Sequence, residues 1–332
     1  MSTILIVLLL VLAAIAVLLV IAWRMMIYMP GHLFQGDPPP LDAHQERVRE
    51  ALQQDLTRLA DDIGPRDLSD HYVALIDAAA FIEKELIEAG YEPRRQEFEV
   101  DGKKVWNIDV ECTGCQRADK ILVVAAHYDT IPRSPGANDN GSAVVANLAL
   151  ARQFANRQPA TTIRFTFFVN EESPYYMTED MGALRYAKRC QADREDLIGM
   201  ICLETIGYYS DEPGSQRYPM SWIGRLYPTT GNFVAVVGNV RSRRFVRRVV
   251  RHLRQSPFPI QGMAAPRWLK DSFRSDHAAF WQCGYPALMI TDTANFRYAH
   301  YHTPQDTVDK IHFTVLARLV TALESSVAAI TS

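Results

Sequence analysis

Two histidines and a set of carboxylates carry the chemistry available to this chain. His127, Asp139, Glu171, Glu172, Glu204 and His302 each stand at or just after the end of an apolar run. Two imidazoles and several carboxylates drawn from separated strand ends supply what two adjacent zinc ions need. One carboxylate bridges them, and each ion takes one further nitrogen and one further oxygen ligand. One carboxylate is then left over, and a spare glutamate beside metal-activated water is the general base of a hydrolase. Asp129 lies two residues beyond His127, so on an extended chain both side chains start on the same side of the backbone. That is the relation of a metal-bound imidazole to the carboxylate that orients it. Alone, a His-x-Asp is an ordinary hydrogen-bonded pair at a strand end; the acidic endings of later strands are what raise it to a site.

The elements that must position these residues are legible as apolar runs. Residues 121–126, ILVVAA, have the β-branched, continuous character of a strand buried on both faces. Pro132, Pro135 and Gly136 then break the chain into a loop bearing Asn138, Asp139 and Asn140, and residues 143–154 resume with helical spacing. Residues 161–169 form a second buried strand ending in Asn170, Glu171 and Glu172; residues 197–203 form a third, ending at Glu204. In open α/β sheets, ligands bind outside the carboxyl ends of the strands. Ahead of these, helices are predicted over residues 41–63 and 72–88, and Asp101-Gly102 marks a hairpin turn between strands at 97–100 and 105–110. Strands at 233–237 and 286–291 and a closing helix at 313–330 complete the pattern. The fold inferred is a three-layer αβα domain over residues 42–332, with a mixed, mostly parallel central sheet between helices.

Residues 207–231 form a Tyr-, Pro- and Gly-rich insertion directly after Glu204. A stretch so long between strands is expected to be functional, overhanging the site and lining a substrate pocket through Tyr208, Tyr209 and Trp222. Asp276, His277 and His300 are further pocket candidates. Residues 241–254 carry seven arginines in fourteen positions with apolar residues between them. They predict a helix with a solvated basic face, or one in contact with anionic lipid.

Residues 4–23 are apolar throughout and long enough to span the roughly 30 Å hydrocarbon core of a bilayer. The run exceeds the hydrophobic region of a cleaved signal peptide, so residues 1–24 are read as a retained single-pass anchor and residues 25–41, rich in Pro and Gly, as a semi-rigid spacer. Arg24 by itself favours a cytoplasmic carboxyl side. The formal net charge of −3 over 332 residues argues against nucleic acid or another polyanion as a general partner. Cys112 and Cys115 form a CxxC without a second CxxC, expected as a local disulfide or as unpaired thiols rather than a metal site.

The ordered set of short motifs resembles the two-zinc aminopeptidases of metallopeptidase family twenty-eight, which also holds glutamate carboxypeptidase-like, transferrin-receptor-like and glutaminyl-cyclase members. The motifs are Gly64-Pro65-Arg66, His127-Tyr128-Asp129, residues 136–142 (GANDNGS), Asn170-Glu171-Glu172, Ser275-Asp276-His277, and Tyr301-His302-Thr303-Pro304 with Asp306-Thr307. The resemblance runs from about residue 55 to the carboxyl terminus. It implies two Zn²⁺ bridged by Asp139, with His127 and Glu204 completing the first ion's protein ligands and Glu172 and His302 the second's. It implies Glu171 as catalytic base and Asp129 as the partner of His127. It further implies peptide substrates and an exported, periplasmic or extracellular, catalytic domain, which outweighs the lone Arg24. Position 204 is often Asp in the family, and His300 competes with His302 for the ligand role. A carboxypeptidase or dipeptidase would need a cation for the terminal carboxylate, with Arg217, Arg225 and Arg274 as possible donors. A glutaminyl cyclase and a non-catalytic, membrane-tethered binding module are the other readings.

Overall fold

The computed structural model describes residues 3–332. The apolar amino-terminal run forms α1 (Thr3–Met26), whose side chains from Ile4 to Trp23 are exposed. Among the described residues it is one of two helices long and apolar enough to cross a membrane; the other, Phe313–Thr331 near the carboxyl end, is half buried inside the protein. α2 (Ala43–Leu56) begins at a capping box, in which the Asp42 carboxylate accepts the Gln45 amide and the Gln45 side chain accepts the Asp42 amide. Val48, Leu52 and Leu56 turn inward from it. The helix runs into a wider π turn (Thr57–Ile63) and stops at Gly64, whose φ of 80° suits glycine. α3 (Tyr72–Glu88) follows where its periodicity predicts it.

β1 (Arg94–Val100) and β2 (Lys103–Cys112) form the expected hairpin, with Asp101 and Gly102 both at positive φ. The chain continues through β3 (Arg117–His127), α4 (Ala143–Phe154), β4 (Thr161–Phe168), α5 (Gly182–Ala192) and β5 (Asp196–Glu204). Beyond the insertion come β6 (Val234–Asn239), α6 (Arg243–Leu253), β7 (Ile260–Ala265), α7 (His277–Gln282), β8 (Ala287–Thr291) and α8 (Phe313–Thr331). The eight strands form one open sheet in the order β1-β2-β4-β3-β5-β8-β6-β7. The central four, β4, β3, β5 and β8, are mutually parallel; β2 joins β4 and β6 joins β8 antiparallel, and β7 lies parallel to β6 at the edge.

Strand periodicity divides the core between the two faces of this sheet. From β3, Leu122, Val124 and Ala126 enter the cluster built with α2, α3, α4, α6 and α8. Ile121, Val123 and Ala125 enter the cluster built with α5 and α7. A side chain pointing either way from β3 meets a helix, which explains why the strand reads as an unbroken apolar run.

Two expectations need amendment, and one alternative left open by the sequence, unpaired thiols against a disulfide, falls to the thiols. β7 was not foreseen, because IQGMAA breaks its apolar run with Gln261 and Gly262 and gives no alternation. Cys112 and Cys115 are both free: Cys112 is buried beside the Phe154 and Arg157 carbonyls, and Cys115 is exposed. The stretch read as a spacer is partly pinned, since Met29 is buried and the Arg254 guanidinium donates to the carbonyls of Met29 and Pro30 at 3.1 and 3.3 Å.

Candidate active site

The parallel strands end on one edge of the sheet, and their ends supply the site. β3 delivers His127, fully buried at its last position, and β5 ends at Glu204. After β4 the backbone turns at Asn170 (φ 59°), presenting Glu171 and Glu172. Asp139 lies in the loop between β3 and α4, and His302 in the loop between β8 and α8.

The loop carrying Asp139 is fixed by two groups. The Arg66 side chain, entirely buried, donates to the carbonyls of Tyr128 (2.7 Å), Gly64 (3.1 Å), Pro135 (2.6 Å) and Gly136 (3.1 Å). Gly136 sits at φ +59°, and a Cβ there would lie 2.3 Å from Thr130 Cγ2 and 2.4 Å from the Asp139 carbonyl oxygen, so only glycine fits. From the other side the Asp306 carboxylate accepts the amides of Asn138 (2.8 Å) and Asp139 (3.0 Å), and the Tyr298 hydroxyl (2.9 Å). Asp129 acts similarly on the opposite wall: its two oxygens accept the amides of Glu171 (3.1 Å) and Glu172 (3.0 Å), while one of them lies 3.5 Å from His127 Nδ1.

Two sets of ligand-capable atoms result, with Asp139 common to both: His127, Asp139 and Glu204, and Asp139, Glu172 and His302. His127 Nε2 lies 3.5 Å from Asp139 Oδ1 and 3.4 Å from Glu204 Oε2; His302 Nε2 lies 2.9 Å from Asp139 Oδ2 and 3.2 Å from Glu172 Oε1. Glu171 belongs to neither set, although its Oε2 lies 3.7 Å from His127 Nε2. Ser275 donates to Glu204 Oε2 at 2.6 Å.

These residues fit a metal. His127 Nε2, Asp139 Oδ2, Glu172 Oε1 and His302 Nε2 are all buried without a hydrogen-bond partner, although they converge on one another. Orphaned donor atoms of this kind cost several kcal/mol in aggregate unless a cation satisfies them (about 1–3 kcal/mol each). Charge points the same way. Burial, reinforced by the neighbouring carboxylates, pushes Glu171 well above the ordinary carboxylate range and Glu172 up to about 7. Burial also raises Glu204. For His302, burial opposes the charged form, but the close Asp139 and Glu172 carboxylates outweigh it and lift the imidazole to about 10. A divalent ion would relieve this crowding of buried acids.

A cavity of ≈ 130 Å³ opens beside Glu204, walled by Tyr218, Ile223, Tyr227, Phe233, Leu269 and Met289. The insertion does line it, but through Gln216, Arg217, Tyr218, Pro219, Ile223 and Tyr227. None of the six named pocket candidates does. Tyr209 turns inward and packs edge-on against Phe258 and His312, and Tyr208 packs on Tyr298 at 4.7 Å between ring centres. Trp222 lies exposed near Trp268, and His300 packs on Tyr298. His277 is buried with Nε2 on the Ser272 carbonyl and its ring against Trp281, and burial drops it to about 4. Asp276 is buried with neither carboxyl oxygen hydrogen-bonded, and burial holds it well above the usual range. An aromatic-rich insertion is recognisable in sequence, but which of its rings face the cavity depends on how it folds back. Arg66, Ser275 and Asp306 lay inside recognised motifs without an assigned task; their work is hydrogen bonding to the backbone or side chain of residues far away in sequence.

The sequence profile of peptidase family M28 matches residues 107–326, two-thirds of the chain. The chain belongs to that family. M28 is a family of zinc-dependent peptidases, which classes the chain as a hydrolase of peptide bonds with peptides as substrates. It is 32% identical over 280 residues to the uncharacterized protein YfbL of Escherichia coli (strain K12), a match covering 82% of this chain and 85% of that one. Among solved structures, the zinc aminopeptidase BSAP from Bacillus subtilis superposes with a TM-score of 0.68 at 14% identity, over 86% of this chain and 95% of its own. The Fimbriiglobus ruber glutaminyl cyclase superposes at 0.61 with 19% identity, over 89% and 97%. At these identities the two share the M28 fold with this chain, and the mixed sheet flanked by helices is common to them.

Proposed function

We propose that this M28 member is a membrane-anchored, two-zinc aminopeptidase acting on peptides with an apolar amino-terminal residue. The carrying observation is the set of four orphaned ligand atoms grouped about Asp139, with Glu171 beside them and outside both groups. His127 and Glu204 would hold one ion, Glu172 and His302 the other, and Asp139 both. When bound, zinc supplies Lewis acidity that acidifies a water and polarises the scissile carbonyl. Glu171 takes the proton from the attacking water and returns it to the leaving amine. By gripping adjacent amides, Asp129 makes the carboxylates of Glu171 and Glu172 diverge, one towards His127 and the other towards Asp139 and His302. The apolar cavity takes the substrate side chain.

A second reading is favoured by one observation: Arg217 and Arg274 also line the cavity, held to Asn295 by hydrogen bonds of 2.9 and 3.2 Å. They could meet a terminal carboxylate, as a carboxypeptidase or dipeptidase requires. α1 supports retention of the chain at a membrane; export of the peptidase domain rests on the family resemblance.

The test is metal content per chain together with hydrolysis of free and amino-blocked leucyl substrates, before and after chelation. Two equivalents of zinc, cleavage only of the free amine and loss with chelator are expected. Cleavage of blocked peptides would move the assignment to the carboxypeptidase, and cyclisation of an amino-terminal Gln without cleavage to a cyclase.

A further inference from the structure

Helix α6 is amphipathic, burying Phe245, Val246, Val249, Val250 and Leu253 while Arg244, Arg248 and Arg251 are exposed and Arg243 and Arg247 half-buried. Arg241 and Arg254 flank it. Some arginines elsewhere are neutralised: Arg152 pairs with Asp55, Arg157 with Glu324 and Arg164 with Glu195. Among the described residues none of the seven guanidiniums at 241–254 has a carboxylate within ion-pair distance. Their field is felt by His252, which burial and then Arg248 and Arg251 hold below its ordinary range.

The position of this unneutralised face is fixed by the root of α1. Met29 plugs into the core at Gly262, where a Cβ would lie 2.9 Å from Met29 Cγ and 2.9 Å from Val250 Cγ2. Arg254 grips the carbonyls of Met29 and Pro30. Tyr28 lies between Arg24 and Arg247, whose guanidinium carbons are 5.8 and 5.3 Å from its ring centre, and Trp23 is 5.4 Å away. Trp and Tyr at the end of an apolar helix mark the membrane–water interface. Arg247 touches that aromatic group directly, so α6 is held at the depth where lipid headgroups begin.

We infer that α6 is a headgroup-binding face that seats the peptidase domain on a bilayer containing anionic phospholipid. The inference rests on α1 being a retained anchor. Arginines attract an anionic leaflet only within about one Debye length, ~8 Å at physiological ionic strength, and the pinned root of α1 keeps α6 within that reach. A net charge of −3 for the whole chain leaves the attraction local to this face.

The test uses the full chain in nanodiscs of phosphatidylcholine alone or mixed with phosphatidylglycerol. A nitroxide label is placed at Arg244→Cys in a Cys115→Ser background, the other four cysteines being buried. The label's accessibility to a water-soluble relaxing agent should fall several-fold in the anionic discs and recover in high salt. Arg247→Gln/Arg248→Gln/Arg251→Gln should abolish the difference, whereas Arg58→Gln/Arg194→Gln, exposed elsewhere, should leave it intact; unchanged zinc content would report that each variant is folded. A carbonate wash of membranes separates the two readings. A chain that washes off overturns anchor and seat together, whereas a retained chain whose label is equally accessible in both lipids overturns the seat alone. Equal shielding by a short RNA duplex in neutral discs would assign the face to nucleic acid and also overturn it.

Discussion

The two halves of the candidate metal site share Asp139 but are built differently. His127 and Glu204 stand at the last positions of adjacent parallel strands, and their side chains are 0% and 7% exposed. Glu204 accepts from Ser275, and His127 Nδ1 is 3.2 Å from the Asp129 carbonyl. The other half depends on His302, which sits at φ 58° on a loop, stacked on Tyr301, with 34% of its side chain exposed. Sheet hydrogen bonding thus fixes one half, whereas loop packing fixes the other. An ion in the strand-held half should exchange slowly and one in the loop-held half quickly.

The largest expected effect removes what the halves share. Asp139→Asn should lose both equivalents of zinc and lower kcat/KM by about 10⁴-fold or more, since the residues act as a unit; retention of one equivalent by elemental analysis would show the halves to be independent. Glu171→Gln, which touches neither set, should keep both equivalents while turnover falls by about 10²–10⁴-fold. Full activity in that variant would remove Glu171 from the reaction. Next, chelator titration of the wild-type protein should release zinc in two phases, and His302→Ala should abolish only the faster one. A single phase would erase the distinction between the halves. Smaller again, Ser275→Ala should weaken zinc at the strand-held half alone, by about 10-fold, the lower end of what an outer hydrogen-bond partner contributes. Asp306→Asn should weaken both, because its carboxylate holds the Asp139 amide.

The strand-held half was also the more legible in sequence. A buried parallel strand announces itself as an apolar run, so His127 and Glu204 could be located as the polar residues that end one. His302 needed its Tyr-His-Thr-Pro context, because loops carry no periodicity and His300 lay two residues away. The cavity was least legible. Its insertion was found by length and composition, but Tyr209 went inward and Trp222 outward while Tyr218 and Tyr227 lined the space, a choice made by packing. β7 escaped because an edge strand containing Gly262 is not required to be apolar, and Gly262 is there to admit Met29.

The sequence by itself determined the order of strands and helices apart from β7, the apolar amino-terminal helix, the family and the residue types able to bind metal, since all of these are written in local periodicity and short motifs. Only the tertiary structure decided that Asp139 stands between two histidines 175 residues apart, that Arg66 and Asp306 hold its loop, and that the arginines of α6 lie beside the root of α1. Contacts between distant segments follow from strand order and loop packing, and one chain read in line carries no record of which segments will become neighbours.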